Sequence, residues 1–169
     1  MKLKFVILGT SQFDIYSANA ILDSGHQVLA IISMPNKSRP NNSANIEQYA
    51  KKKCIPYHEF LDINSPNSIK ILKQLEPDYI FTSWPKVICK EVLNVPNNFS
   101  IGTHPTALPF NRGRHPLHWV IDLGISETKL SFFKMDEGVD TGNIILQCPF
   151  QIDEGDEIED VNSKMNLVV

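Results

Sequence analysis

Short apolar runs that alternate with helix-like segments constrain the fold of this chain more than any other feature. The run KFVILG stops at Gly9, SANAILDSGH has apolar residues at helical intervals and ends near Gly25, and QVLAIIS is a second apolar run. A strand, a helix and a strand within about 30 residues make a βαβ unit, whose crossover is right-handed. The chain therefore begins as an α/β protein with parallel strands.

The same alternation continues to the end of the chain. Helices are predicted for NIEQYAKKK, SPNSIKILKQLEP, KVICKEVLNVP, PLHWVIDLG and DEIEDVNSKMNLVV, and strands for IPYHE, DYIFTSW, FSIGTH, KLSFFKMD and NIILQCPFQI; MPNKSRPNNSA is predicted to be a loop. This order predicts an α/β fold with a doubly wound, mainly parallel sheet, as one domain over residues 1–169. Because the last predicted helix reaches the final residue, we expect the domain to be truncated there.

Composition and charge narrow the classes of function. The 169 residues are 42% hydrophobic and 21% charged, and the net charge of -3 gives no electrostatic footprint for RNA. No apolar run approaches the ~20 residues that span a bilayer, and KFVIL is too short for a signal peptide. The three cysteines lack the spacing of metal ligands. We therefore expect a cytoplasmic protein with no metal, no membrane partner and no nucleic-acid partner.

In doubly wound sheets, ligand sites form beyond the carboxyl ends of the strands. Four segments follow predicted strands and should share that end: residues 9–11, residues 82–84, the segment from His104 onward, and residues 136–142. The turn Gly9-Thr10-Ser11 precedes a helix, so its free amides and the helix dipole suit an anionic group. It lacks both the G-x-G-x-x-G pattern and the P-loop lysine, which excludes those two nucleotide-binding motifs.

His104 follows a predicted strand and precedes a proline. Imidazole exchanges protons near neutral pH, so His104 is a candidate general acid or base; the alternative is a histidine hydrogen-bonded to its own loop. Asp140, in MDEGVDTG, would orient the ring and hold positive charge on it. Asp136 and Glu137 are competing carboxylates, and a polar turn with no role in chemistry is equally compatible with this local sequence.

Other side chains near these segments have two interpretations each. Trp84 would wall a pocket for a flat ligand, or pack in the core. Arg112 and Arg114 would bind a phosphate or carboxylate, or lie solvated on the surface. His115 and His118 have an i, i+3 spacing that can hold zinc, but no third ligand is evident, so packing or surface roles are favoured.

Two sequence blocks, HPTALPFNRGRHPLHW and MDEGVDTGNIILQ, together resemble the folate-dependent formyltransferase family. The family pattern Asn-x-His-x-(Ser/Thr)-x-Leu-Pro-x-x-x-Gly and its Asp-x-Gly turn are matched by His104, Thr106, Leu108, Pro109, Gly113, Asp140 and Gly142. One position departs from the pattern, because Gly102 stands where the family has asparagine. That amide would polarise the formyl oxygen, and the loss of one such donor costs about 3 kcal/mol in transition-state stabilisation.

The resemblance implies a Rossmann-like formyltransferase fold and an enzyme that transfers a formyl group from 10-formyltetrahydrofolate to a primary amine. His104 would stabilise or protonate the oxyanion, and Asp140 would hold the imidazolium and help relay the proton of the amine. The implied folate-binding residues are Ser83, Trp84, Val87, Ile88, Asp136, Glu137, Gly138 and Val139. The implied acceptor-binding residues are Gly9, Thr10, Ser11, Thr106, Arg112 and Arg114.

The amine acceptor favoured by chain length and charge is a small phosphorylated molecule, and we expect a nucleotide-linked amino sugar. Glycinamide ribonucleotide and methionyl-tRNA are the alternatives, although the transfer-RNA members of the family carry a further C-terminal domain. A non-catalytic relative that binds folate or nucleotide is also compatible with Gly102. For the assembly, a homodimer is considered.

Overall fold

Buried parallel strands form the centre of the first of two units, which covers Met1–Ile101; the second unit covers Gly102–Val169. The computed structural model describes residues 1–41 and 43–169. The strands of the first unit are β1 (Lys4–Leu8), β2 (Gln27–Ser33), β3 (Tyr57–Glu59) and β4 (Tyr79–Thr82). Its helices are α1 (Gln12–Asp23), α2 (Ile46–Lys52), α3 (Pro66–Leu75) and α4 (Lys90–Leu93).

The strands β1 and β2 read as continuous apolar runs because both of their faces are covered. β1 pairs in parallel with β2 and β4, β2 pairs in parallel with β3, and every residue of β1 after the first is buried. The helix α3 starts as its sequence predicts: the hydroxyl of Ser65 accepts the amide of Ser68 at 3.2 Å, and Pro66 lies in the first turn.

The strand β5 (Phe99–His104) runs from the first unit into the second. The remaining elements of the second unit are α5 (Pro116–Asp122), β6 (Glu127–Lys134), β7 (Ile144–Gln151) and α6 (Ile158–Asn166). β6 and β7 pair antiparallel, with Leu130 opposite Cys148. Burial alternates along β5, so Gly102 and His104 both lie on its buried side.

In the part of the chain that the structure describes, seven strands follow the order β3-β2-β1-β4-β5-β6-β7 in one mostly parallel sheet, accompanied by six α-helices. The predicted doubly wound, mainly parallel α/β fold is confirmed, whereas a single catalytic domain over residues 1–169 stays a prediction. Among the helices of residues 1–41 and 43–169, none is both long and apolar enough to cross a membrane.

Two predicted segments differ from the structure in detail. KVICKEVLNVP is helical only over α4, because Cys89 has an extended backbone and its amide donates to the side-chain oxygen of Asn64 at 2.8 Å. Within the predicted loop MPNKSRPNNSA, residues Asn36–Ser38 form a 3-10 turn. One residue of that predicted loop, Asn42, lies outside the described residues.

Candidate active site

The imidazole of His104 and the carboxylate of Asp140 meet within the second unit. His104 ends β5 and is only 4% exposed, and its Nδ1 lies 3.4 Å from Oδ2 of Asp140. The same Oδ2 accepts the amide of Gly113 at 2.9 Å. The two sequence blocks therefore meet at one carboxylate, and this geometry suits a histidine that carries positive charge during a reaction. The catalytic roles of both residues stay predictions.

The competing carboxylate Asp136 is used inside its own turn. Its Oδ1 accepts the amide of Gly138 at 3.0 Å and the hydroxyl of Thr141 at 2.6 Å. The exposed turn Asp136–Val139 was expected to contact folate, and that role stays a prediction for Asp136, Glu137, Gly138 and Val139. Of the acidic side chains proposed from sequence, Asp140 is the one brought to the imidazole.

The other side of the imidazole faces the loop that follows β5. Nε2 of His104 lies 2.7 Å from the backbone oxygen of Asn111. The hydroxyl of Thr106 donates to the carbonyls of Phe110 at 3.1 Å and Asn111 at 3.3 Å. Thr106 is fully buried and its hydroxyl is bonded within this loop, whereas its role in binding the acceptor stays a prediction. The sequence had not singled out Asn111 for any role.

The arginines expected to bind an anionic acceptor are both exposed. Arg112 donates from Nε to the backbone oxygen of Asp140 at 2.9 Å, so part of its guanidinium holds the Asp140 turn against the loop. Arg114 lies two residues further along the same loop. The acceptor-binding roles of both arginines stay predictions.

Polar side chains of β6 and β7 hold the loop that carries Thr106 and Leu108. Ser131 is fully buried; its hydroxyl donates to the carbonyl of Thr106 at 2.6 Å and accepts the amide of Leu108 at 3.2 Å. Gln147 donates to the carbonyl of Leu108 at 2.9 Å. Sequence analysis missed these residues, although a serine inside the apolar strand KLSFFK is a signal of a buried hydrogen bond.

The position of the missing asparagine is filled by other side chains. A Cβ atom built on Gly102 would lie 2.7 Å from Cζ of Phe133 and 2.8 Å from Cγ of Met135. Real Cβ atoms do not approach other heavy atoms this closely. Phe133 is 3% exposed, so its ring has little freedom to withdraw. Glycine at position 102 is thus required by the packing of this unit.

In the first unit, the amides of the glycine turn are already bound. Thr10 and Ser11 donate their amides to Oδ2 of Asp14 at 3.0 and 2.8 Å, and the Ser11 hydroxyl donates to the same oxygen at 2.7 Å. The amide of Gly9 donates to the carbonyl of Ile32 at 3.0 Å. This corrects the expectation of free amides, although the substrate roles of Gly9, Thr10 and Ser11 are not otherwise tested. The spacing Ser-x-x-Asp is a capping-box pattern that predicts this contact.

The folate-binding residues expected in the first unit have different surroundings. Trp84 and Ile88 are buried, whereas Val87 is 77% exposed. The hydroxyl of Ser83 donates to Oδ1 of Asp14 at 2.7 Å, so it is used within the unit. The folate-binding roles of these four residues stay predictions.

His115 and His118 lie at the start of α5, where their ring centroids are 5.6 Å apart and the rings meet edge to face. Within residues 1–41 and 43–169, no group of three or more histidine, cysteine, aspartate or glutamate side chains is arranged to hold a metal ion.

The chain belongs to the formyl transferase family, whose model matches residues 1–168. It is 32% identical over 171 residues to a methionyl-tRNA formyltransferase from Pelotomaculum thermopropionicum, covering 98% of this chain and 55% of that protein. Against a methionyl-tRNA formyltransferase from Clostridioides difficile it is 28% identical over 168 residues, covering 96% of this chain and 54% of that protein. The chain thus spans about half the length of the curated relatives it matches. The family resemblance of the two sequence blocks is confirmed.

Solved structures share the fold. A glycinamide ribonucleotide transformylase from Symbiobacterium toebii superposes with a TM-score of 0.84 at 18% identity, covering 98% of this chain and 81% of that one. A formyltetrahydrofolate deformylase from Pseudomonas putida superposes with a TM-score of 0.75 at 21% identity, covering 99% of this chain and 61% of that one. The expected Rossmann-like formyltransferase fold is confirmed by these superpositions.

We predict that Gly102→Asn destabilises the second unit. The added side chain overlaps Phe133 and Met135, and overpacking of this kind costs about 1–3 kcal/mol. The measurement is the free energy of unfolding from denaturant titration. Gly124→Asn is the control for an added side chain that meets no neighbour: Gly124 has open space around it, and its φ of +63°, strained for most side chains, is one that asparagine adopts more readily than most. Equal losses for the two variants would contradict the packing argument.

We also predict a pH-dependent effect of Asp14→Asn on stability. Burial raises the pKa of Asp14 from its ordinary value of 3.8, against the opposing effect of hydrogen bonds from Ser83, Ser11 and Thr10. An asparagine at this position can still accept the amides of Thr10 and Ser11 at its oxygen, and its NH₂ group can donate to the hydroxyl of Ser83.

A raised pKa in the folded chain means that the stability given by Asp14 is complete below pH 3.8 and is lost as pH rises through the raised value. The free energy of unfolding of Asp14→Asn should therefore rise relative to the wild type across that window, by at most about 1.4 kcal/mol per pH unit. Denaturant titrations at several pH values measure the difference. A wild type that instead gains stability relative to the variant as pH rises would mean that the hydrogen bonds outweigh burial.

Proposed function

We propose that this chain transfers a formyl group from 10-formyltetrahydrofolate to a primary amine, with His104 and Asp140 as the catalytic residues. The observation that carries the proposal is the buried imidazole of His104, whose Nδ1 lies 3.4 Å from Oδ2 of Asp140. Membership of the formyl transferase family supports the reaction class. The formyltetrahydrofolate deformylase among the superposed structures supports only the fold.

The folate co-substrate supplies an activated formyl group. Attack of the amine on the formyl carbon puts negative charge on the formyl oxygen, the amine loses a proton, and the folate nitrogen gains one as its bond to the formyl carbon breaks. His104 holds a proton beside the negative oxygen, and Asp140 balances the positive charge on the ring. No covalent bond to the protein is needed, so the reaction requires no cysteine or serine nucleophile.

Gly102 gives the reaction no side-chain amide, so in this proposal the imidazolium of His104 stabilises the oxyanion without a neighbouring asparagine. Phe133 and Met135 occupy the space that an asparagine at position 102 would need. The carboxylate of Asp140 lies 3.4 Å from Nδ1, where it can balance the positive charge of the ring while the ring interacts with an oxyanion.

For the acceptor, we propose a small phosphorylated amine and favour a nucleotide-linked amino sugar. The exposed guanidinium groups of Arg112 and Arg114, close in sequence to the catalytic loop, suit phosphate oxygens. The turn at Thr10 and Ser11 is a poor alternative for the phosphate, because the carboxylate of Asp14 already accepts its amides. Methionyl-tRNA is the second candidate, since the relatives named above are methionyl-tRNA formyltransferases.

The acceptor assay uses the full chain with 10-formyltetrahydrofolate and three amines in parallel: a nucleoside-diphosphate-linked amino sugar, glycinamide ribonucleotide and methionyl-tRNA. Formation of tetrahydrofolate and of the formylated amine is measured. The proposal expects turnover with the amino sugar; turnover with methionyl-tRNA alone selects the second candidate. If the donor binds, as judged by calorimetry, and none of the amines is formylated, the chain is a folate-binding relative and the enzymatic proposal fails.

We predict that His104→Ala lowers the rate of formyl transfer on the order of 100-fold, as expected when a general acid-base group is removed. The measurement is turnover of 10-formyltetrahydrofolate with the amine that the wild type accepts. His118→Ala is the matched control, because His118 is exposed on α5 and should leave the rate unchanged. A His104→Ala variant that folds and retains near wild-type turnover would remove His104 from the chemistry.

A further inference from the structure

The two nitrogens of the His104 ring face different kinds of acceptor. Nε2 lies 2.7 Å from the backbone oxygen of Asn111, and Nδ1 lies 3.4 Å from Oδ2 of Asp140. A carbonyl oxygen only accepts hydrogen bonds, so the nitrogen that contacts it at this distance carries a hydrogen. As long as the contact with Asn111 is kept, Nε2 is a donor whether the ring is neutral or charged.

We propose that Asn111 is a positioning residue that fixes a hydrogen on Nε2 of His104, so that the exchangeable proton of the ring is taken up and released at Nδ1, beside Asp140. The catalytic meaning of this assignment rests on the proposed formyl transfer. The position of the hydrogen does not, because it follows from the two contacts of the ring: both partners only accept, and the contact of Nε2 with the carbonyl, at 2.7 Å against 3.4 Å, is the one of hydrogen-bond length.

The distances favour Nδ1 as the nitrogen that works on a substrate. Hydrogen bonds between charged groups are usually about 2.7–2.9 Å long, and the 3.4 Å between Nδ1 and Oδ2 of Asp140 is longer. A proton on Nδ1 is therefore held loosely enough to be shared with an oxygen atom that approaches from that side. The hydrogen on Nε2 would first have to leave the carbonyl of Asn111.

The backbone of Asn111 explains why this residue aims its carbonyl at the ring. Its φ of +54° lies in the left-handed region, which asparagine and glycine adopt far more readily than β-branched residues do. The hydroxyl of Thr106 donates to the same carbonyl at 3.3 Å, which further fixes its direction. The part of Asn111 that acts on His104 is thus its main chain, and the side chain matters through the conformation it permits.

The test is the protonation pattern of the His104 ring, measured by long-range ¹H–¹⁵N correlation on the full chain labelled with ¹⁵N-histidine. The chain has five histidines, and comparison with His104→Gln identifies the signals of His104. At a pH where the ring is neutral, Nε2 should carry the hydrogen and Nδ1 should have the shift of an unprotonated nitrogen. As the pH falls, the change should occur at Nδ1. A neutral ring with its hydrogen on Nδ1 overturns the proposal.

Two variants test Asn111 itself. Asn111→Gly keeps both the carbonyl and the left-handed backbone, so the His104 spectrum should stay as in the wild type. Asn111→Val disfavours that backbone, so the spectrum should shift toward a mixture of the two neutral forms. A folded Asn111→Val variant with the wild-type spectrum would remove Asn111 from the assignment; if it does not fold, the wild-type and Asn111→Gly spectra still decide.

The outcome separates this inference from the proposed function. A chain with its hydrogen on Nε2 that transfers no formyl group would refute the catalytic proposal and leave the role of Asn111 intact. If the chain transfers formyl groups but its neutral His104 ring has the hydrogen on Nδ1, the catalytic proposal stands and the role of Asn111 is refuted.

Discussion

The carboxylate of Asp140 is the contact on which the site in the second unit depends. Its Oδ2 accepts the amide of Gly113 and faces Nδ1 of His104, while its backbone oxygen accepts Nε of Arg112. One residue therefore joins the loop after β5 to the turn between β6 and β7. A carboxylate that accepts an amide beside a buried imidazole stabilises the site more than a neutral group of the same shape would, because its hydrogen bonds are charge-assisted.

The position that departs from the family pattern belongs to the same arrangement. Gly102 and His104 lie on one side of β5, and Phe133 packs where a side chain at position 102 would be. The aromatic ring and the glycine fit each other, so the change from asparagine is a feature of the packing as well as of the chemistry. In our proposal the imidazolium, supported by Asp140, then has a larger share in stabilising the oxyanion.

The mainly parallel sheet and the meeting of the two blocks were predictable from sequence, because apolar runs and strand ends follow from local pattern. Local sequence placed Asp140 near His104 but did not choose it over Asp136 and Glu137; the family resemblance made that choice. In the structure, the turn geometry ties Asp136 to Gly138 and Thr141.

The sequence could not predict the hydrogen-bond partners of polar side chains, because these depend on the direction in which each side chain points. For Thr106, predicted to bind the acceptor, the pattern could not show that the side chain is buried and bonded to its own loop. The turn at Thr10 and Ser11 looked like an anion site, but the side chain of Asp14 already accepts its two amides. The free amides at a helix N-terminus attract either a capping carboxylate from the chain or a bound phosphate. An acidic residue three positions after the cap therefore favours capping over phosphate binding.

The most direct measurement of the central claim is a double-mutant cycle on the rate of formyl transfer, made with His104→Ala, Asp140→Asn and the double variant. If the two residues act as one unit, the double variant should be little slower than the slower single variant, because each substitution already removes the function of the pair. Two independent losses that multiply in the double variant would show that Asp140 supports the turn alone and that the imidazole works without it.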